Sequence, residues 1–190
     1  TPLYSSAASD VYKRQEPGPY NLHPDVNFIG LAGGGGGLSE KIAVQRRWVH
    51  PIKNDVPLDE AALIEPLSVA HHAFSASEAG EGDVVLVGGA GPIGVLTAAV
   101  AKAYGCTVVV SELSELRRQK ALDAGVADHA IDPSKQDLKE EILKITDGKG
   151  VDAAFEATSV NVVLDQLVDC LKLKGTLVVE LSLIHISEPT

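Results

Sequence analysis

Three glycines at G-x-G-x-x-G spacing, Gly89, Gly91 and Gly94, are the residues of this chain whose types and spacing most clearly suit a chemical task, and that task is holding a diphosphate. The first glycine permits a tight turn, the second lets a pyrophosphate approach the backbone, and the third lets a helix pack closely on the preceding strand. Pro92 suits the first turn of a helix, so a diphosphate would sit on free backbone N–H groups at the positive end of a helix that starts near it. Glu112, about 20 residues further on, ends the apolar run VVVSE. Its carboxylate can accept hydrogen bonds from both ribose hydroxyls and would repel a 2′-phosphate, which favours NAD over NADP. The alternative for a glycine fingerprint is a mere tight turn, but here strand, turn, helix, second strand and terminal acid follow in order.

The elements that must position these residues can be read from periodicity. VVLVGGAGPIG, from Val84, is an apolar β-branched run of the kind found in a parallel strand covered on both faces. The pattern then predicts a helix over 92–104, a strand over 107–110, a helix over 114–124 and a short strand over 129–131. It continues with a helix near 135–146, a strand over 151–155, a helix near 160–171 and a strand over 175–179. Alternation of this kind specifies an α/β fold, a Rossmann-type doubly wound parallel sheet of about five strands where the full dinucleotide fold has six. The sheet is therefore expected to be truncated, its last strand a hydrophobic edge.

Upstream, LDEAALIEPLSVAHHAFSAS has helical spacing from Leu58, with Leu63, Leu67, Ala70 and Phe74 on one face and Pro66 marking a break or restart. Residues 17–52, with a five-glycine run over 33–37 and short apolar stretches such as KIAV and WVHPI, read as irregular β structure, a partial β-rich remnant. No Lys-Ser or Lys-Thr follows the glycine run, which argues against a P-loop. The expected division is a flank over 1–15, a remnant and linking helix over 16–75, a nucleotide-binding domain over 76–180 and a flank over 181–190. Both flanks, TPLYSSAASDVYKRQ and LSLIHISEPT, resemble translated adapter sequence rather than protein; ordinary terminal disorder is the alternative.

Composition excludes several classes. Sixteen Lys and Arg against 26 Asp and Glu give a net charge of −10, which offers no basic footprint for nucleic acid or an anionic membrane. No apolar run approaches the length of a membrane span. Cys106 and Cys170 fit no disulfide or metal spacing and are expected to be small core residues in a reducing compartment, hence a cytoplasmic protein. His71 and His72 are adjacent, so on a helix they point about 100° apart and cannot pair on one metal; packing is their expected role.

DEAALIEPLSVAHHAF, VVLVGGAGPIG, VVVSELSELRR and AFEAT together resemble the zinc-dependent medium-chain alcohol and polyol dehydrogenases, over nearly all of 20–179. Within that family the chain is most similar to the butanediol and sorbitol dehydrogenase branch, and FIGLAGGGGGLSEKIAV favours the butanediol side. The resemblance implies that Gly89, Gly91, Pro92, Ile93 and Gly94 form the pyrophosphate turn and that Glu112 is the ribose acid. Arg117 would flank the adenosine end and Thr158 would lie near the cofactor. It implies that Glu65 reaches a catalytic zinc, directly or through water, although an acid at a helix start is also explained by the helix dipole. Arg117 and Arg118 could equally be a solvated helix face. The family's other zinc ligands match nothing here, so the catalytic residues are expected mostly outside this chain, which would be inactive alone.

For the parent protein the implied reaction is NAD-dependent oxidation of a secondary alcohol or vicinal diol, 2,3-butanediol to acetoin, with a small alcohol or diol as substrate and a homo-oligomeric assembly. A sorbitol or polyol dehydrogenase is the near alternative. A catalytically silent dinucleotide-binding module and a methyltransferase, which also places an acid after its second strand, are the readings from other classes.

Overall fold

The structure is a computed structural model that describes residues 29–30, 36–53 and 55–181. The expected flank over 1–15, nearly all of that over 181–190 and Gly33–Gly35 of the glycine run lie outside the described residues. The chain divides into two compact units, Thr1–Ile52 and Lys53–Thr190. In the first, the stretches expected as irregular β structure form no strand among the described residues; Arg46–Trp48 is a single 3-10 turn. Among the described residues of this unit, short apolar runs broken by Gly and Pro have no neighbouring strand to complete a ladder.

The second unit opens with α1 (Leu58–Ala61) and α2 (Ile64–Ser77). The break falls at Ala62 and Leu63, ahead of Pro66, which occupies the first turn of α2 where its missing N–H costs nothing. Of the apolar face expected for this segment, Ala70 and Phe74 are buried while Leu63 and Leu67 stay exposed. There follow β1 (Val84–Gly88), α3 (Pro92–Ala103), β2 (Thr107–Ser111), α4 (Glu115–Asp123), β3 (His129–Ile131), α5 (Leu138–Ile145), β4 (Val151–Glu156), α6 (Asn161–Cys170) and β5 (Leu171–Val179).

The five strands form one parallel sheet in the order β3-β2-β1-β4-β5. Because side chains alternate across a strand, each central strand feeds two cores. Val85, Val87, Val108, Val110 and Phe155 pack with Ala70, Phe74, Ala98 and Ala101 of α2 and α3 on one face. Leu86, Val109 and Ala154 pack with Leu138, Ile142 and Leu167 of α5 and α6 on the other. Val85, Leu86 and Val87 are fully buried, each contributing roughly 1.5–3 kcal/mol. This is the doubly wound arrangement the alternation predicts, and its strand order reverses between β1 and β4, where such sheets open a crevice at their carboxyl ends.

Boundaries move where side chains intervene. The helix expected from residue 135 starts at Leu138, because Asp132 takes the N–H and hydroxyl of Ser134 and the backbone N–H groups of Lys135 and Gln136 into a turn. Asp137 then caps α5 by accepting from the N–H of Glu140 at 2.9 Å. β5 begins pairing at Leu171, then slips: Val151 faces Leu171 and Ala153 faces Thr176, so three residues loop out around Gly175. Within the sheet β5 pairs with β4 alone, which makes it the expected edge strand, and Val179 at its end is half exposed. Cys106 and Cys170 are free and buried.

Candidate nucleotide site

The β1–α3 turn assigns each glycine a different physical reason. Gly89 has φ +97°, a conformation L side chains rarely adopt, and a Cβ there would fall 2.7 Å from Thr158 Cγ2 and 3.2 Å from the Ala157 carbonyl oxygen. At Gly94 a Cβ would sit 2.1 Å from the carbonyl oxygen of Gly89, so the helix can approach the strand only because no side chain is present. Gly91 meets nothing within 4 Å, and its φ of −71° is open to any residue. Packing therefore does not require Gly91; it leaves an open face beside the helix start. Pro92 is the first residue of α3, and the N–H groups of Ile93 and Gly94 donate to no partner among the described residues. The arrangement leaves unpartnered donors at a helix N-terminus, geometry that could seat an anion, with a glycine surface exposed beside it.

Replacing Gly91 by Ala separates fold from ligand. We expect a melting temperature within about 2 °C of the parent chain, because the space is empty and φ is permissive. NADH affinity, read by calorimetric titration, should nevertheless fall more than about tenfold, since the methyl stands where the pyrophosphate would approach.

Glu112 directly follows β2, and its side chain is only 10% exposed. Its Oε2 accepts from the N–H of Ala90 inside the glycine turn at 2.9 Å, and its Oε1 from the N–H of Ser114 at 2.8 Å. Burial pushes the carboxyl upward, but the Ser114 and Ala90 N–H groups and the Arg117 guanidinium, 3.7 Å away, outweigh it and hold the acid below its ordinary range. The group stays ionised at neutral pH, with a second lone pair on each oxygen left for hydroxyl donors.

Arg117 is 59% exposed and reaches the carboxylate from the solvent side. Its neighbour Arg118 is the fixed one: it donates to the carbonyls of Glu112 and Leu113 at 2.5 and 2.8 Å and pairs with Asp132 at 3.0 Å. Arg118 thus holds the floor under Glu112, a role the sequence reading left open between site and surface. Asp132 follows β3 as Glu112 follows β2, and Glu156 ends β4; an acid at the carboxyl end of three successive strands was a signal available in the sequence.

Thr158 lies on the far wall of the turn, its methyl group against Gly89. Its hydroxyl and N–H both donate to Glu156 Oε1. Beside this wall Glu180 is pushed up to about 7 by burial, opposed by the hydroxyl of Thr97 and reinforced by the charge of Glu156. A carboxyl whose folded pKa exceeds its unfolded value binds protons more tightly when folded, so its contribution is lost as pH rises from about 4.5 through 7. After allowance for solvent screening we expect a stability loss on the order of 1 kcal/mol across that window, read by urea denaturation and absent in Glu180→Gln.

Glu65 stands exposed in the first turn of α2, and the described residues contain no set of three or more His, Cys, Asp or Glu placed to hold a metal. They fit a dinucleotide and do not by themselves fit a zinc ion. His71 meets Tyr104 through Nε2 and the phenol oxygen at 2.9 Å, a packing contact between α2 and the end of α3. A polar cavity of about 430 Å³ between residues 133–139 and α6 shares no residue with the glycine turn. No helix among the described residues is long and apolar enough to cross a membrane.

Comparison with known proteins agrees with this geometry. Residues 92–180 match the family described as zinc-binding dehydrogenase. An (R,R)-butanediol dehydrogenase of Neisseria gonorrhoeae is 62% identical over 160 residues, 84% of this chain and 45% of that protein. A sorbitol dehydrogenase of Halalkalibacterium halodurans is 38% identical over 83% of this chain and 46% of its own length. The crystal structure of 2R,3R-butanediol dehydrogenase from Bacillus subtilis superposes with a TM-score of 0.79 at 41% identity, over 85% of this chain and 47% of that one. The chain thus spans somewhat under half the length of these relatives. With its five-stranded doubly wound sheet and its glycine turn closed by an acid, the chain belongs to the zinc-dependent medium-chain alcohol and polyol dehydrogenase family.

Proposed function

We propose that this chain is the NAD-holding part of an oxidoreductase acting on CH–OH groups, whose whole form oxidises a vicinal diol, 2,3-butanediol to acetoin. The observation that carries the cofactor half is the junction of Glu112 with the glycine turn: one ionised acid at the ribose position, and an unfilled glycine face at Gly91 beside two free N–H groups. Bound NAD would accept a hydride from the carbinol carbon. The chain's own residues bind and orient: Ile93 and Gly94 N–H toward the pyrophosphate, Glu112 toward the ribose hydroxyls, Arg117 beside the adenosine end, Thr158 on the opposite wall.

The diol reading draws on the 62% identity to a butanediol dehydrogenase; a sorbitol or polyol substrate is the near alternative, supported by the 38% relative. Glu65 would supply at most one zinc ligand, and we assign no catalytic residue within the chain. We take 76–180 as the nucleotide domain, 16–75 as part of the catalytic domain with its linking helix, and the terminal segments as non-native. Two free, buried cysteines fit a cytoplasmic setting, and the whole enzyme would assemble as a homo-oligomer.

Calorimetric titration of the chain with NADH, NADPH and S-adenosylmethionine tests the cofactor class. Saturable NADH binding with weaker NADPH is expected; binding of the methyl donor alone would replace the dehydrogenase reading with a methyltransferase. A protein carrying this segment at the full length of its relatives should show a higher kcat/KM for 2,3-butanediol than for sorbitol. The reverse order would move the assignment to the polyol branch.

A further inference from the structure

Glu156 is the acid that neither the glycine fingerprint nor the ribose contact employs. It is fully buried at the carboxyl end of β4, beside the crevice where the strand order reverses, and its Oε2 has no hydrogen-bond partner. All of its holding is done by Oε1, which accepts from both the N–H and the hydroxyl of Thr158. The Thr158 hydroxyl in turn accepts from the N–H of Val160, the residue just before α6. Between them Ser159 sits at φ +61°, a left-handed conformation that a non-glycine residue keeps only when its surroundings impose it. The Thr158 methyl lies against Gly89, and the N–H of Ala157 donates to the carbonyl of Gly88.

From this chain of contacts we infer that Glu156 is a positioning residue: through Oε1 it fixes Thr158 and the strained 157–160 loop against Gly89, and so builds the cofactor-facing wall on the β4 side of the crevice. The inference rests on the dinucleotide reading given above. Because Glu112 stands on the β2 side, the adenosine half of a dinucleotide belongs over β1 to β3 and the nicotinamide half over β4 and β5. A wall set by Glu156 therefore acts on the second half and leaves the first alone.

The role requires an acceptor of the right reach rather than a charge. Glu156→Gln keeps a carbonyl oxygen for both Thr158 donors, whereas Glu156→Ala removes it. Thr158→Val removes the hydroxyl that joins Glu156 to Val160, at a partly exposed position where folding is not at stake.

The test is calorimetric titration of the chain and the three variants with NADH and with 5′-AMP. We expect Glu156→Ala and Thr158→Val to weaken NADH about tenfold, the effect of one lost hydrogen bond, with 5′-AMP changed less than about twofold and Glu156→Gln near the parent for both. Equal losses for NADH and 5′-AMP, unchanged NADH affinity in Thr158→Val, or a Glu156→Gln variant as weak as Glu156→Ala would each overturn the inference. Should Glu156→Ala fail to fold, Thr158→Val carries the comparison. If the parent chain binds no NADH, the dinucleotide reading fails instead. Amide hydrogen exchange then still decides the positioning: faster exchange at Thr158 and Val160 in Thr158→Val supports it, and unchanged exchange refutes it.

Discussion

Gly94→Ala should lose NADH binding altogether and lower the melting temperature by roughly 10 °C, the largest effect expected of a single methyl group in this chain. The added Cβ would stand 2.1 Å from the Gly89 carbonyl oxygen, 3.0 Å from its carbonyl carbon and 3.4 Å from Val87 Cγ1. The two closest atoms are backbone, so no rotamer change relieves the contact. Either α3 lifts from β1 or the turn rotates at Gly89, whose φ of +97° is already committed. Lifting α3 pulls Ala98 and Ala101 from the face they share with Val85 and Val87, an overpacking cost of about 3 kcal/mol. Rotating the turn moves the Ala90 N–H off Glu112 and re-aims the N–H groups of Ile93 and Gly94. Both routes destroy the anion seat. Gly91→Ala, three residues away in the same motif, should leave the fold intact, so thermal melting of the two variants side by side distinguishes a glycine required by packing from one required by a ligand. Equal melting temperatures would refute the assignment of roles.

That distinction also marks what could be read without coordinates. The fingerprint assigns three glycines three jobs, and the two that concern the chain's own geometry have their counterparts here, positive φ at Gly89 and close helix approach at Gly94, while Gly91 has open space around it. The sheet was legible for a similar reason, since runs such as VVLV and TVVV must be covered on both faces and the intervening segments are long enough for helices. Side-chain direction was not legible. Arg117 and Arg118 are adjacent, and nothing in their spacing says that Arg118 turns inward to Asp132 while Arg117 stays at the rim. The start of α5 was misplaced by three residues because Asp132 and Asp137 spend their oxygens on local backbone, a contest between side chain and helix that periodicity does not register. The acid ending β4 was visible in the sequence, but not its tie to Thr158: spacing does not say that one oxygen of Glu156 takes both the N–H and the hydroxyl two residues on.

Glu112→Ser should move the ratio of NADH to NADPH affinity by about a hundredfold, NADH losing and NADPH gaining. On the proposed reading the carboxylate would accept from the ribose hydroxyls and would set a fixed negative charge against any 2′-phosphate. Since its pKa is held below the ordinary carboxylate range, that charge should be constant between pH 6 and 8. Serine removes the charge and leaves Arg117, whose guanidinium already stands 3.7 Å from the vacated position and is 59% exposed, free to meet the phosphate. Arg118 cannot substitute for it, being committed to Asp132 and to the carbonyls of Glu112 and Leu113. The gain in NADPH affinity must then depend on one arginine. In the double variant Glu112→Ser, Arg117→Ala the NADPH gain should vanish while the NADH loss remains, and the coupling between the two substitutions measures the contact directly. A double variant that still favours NADPH would place the phosphate elsewhere and reduce Arg117 to a solvated helix face. The NADH loss should be somewhat deeper, and the NADPH gain somewhat smaller, than the ribose and phosphate contacts explain, because Glu112 also secures the Ala90 N–H in the glycine turn. The ratio is the sharper readout, since a loosened turn weakens both cofactors alike and cancels from it.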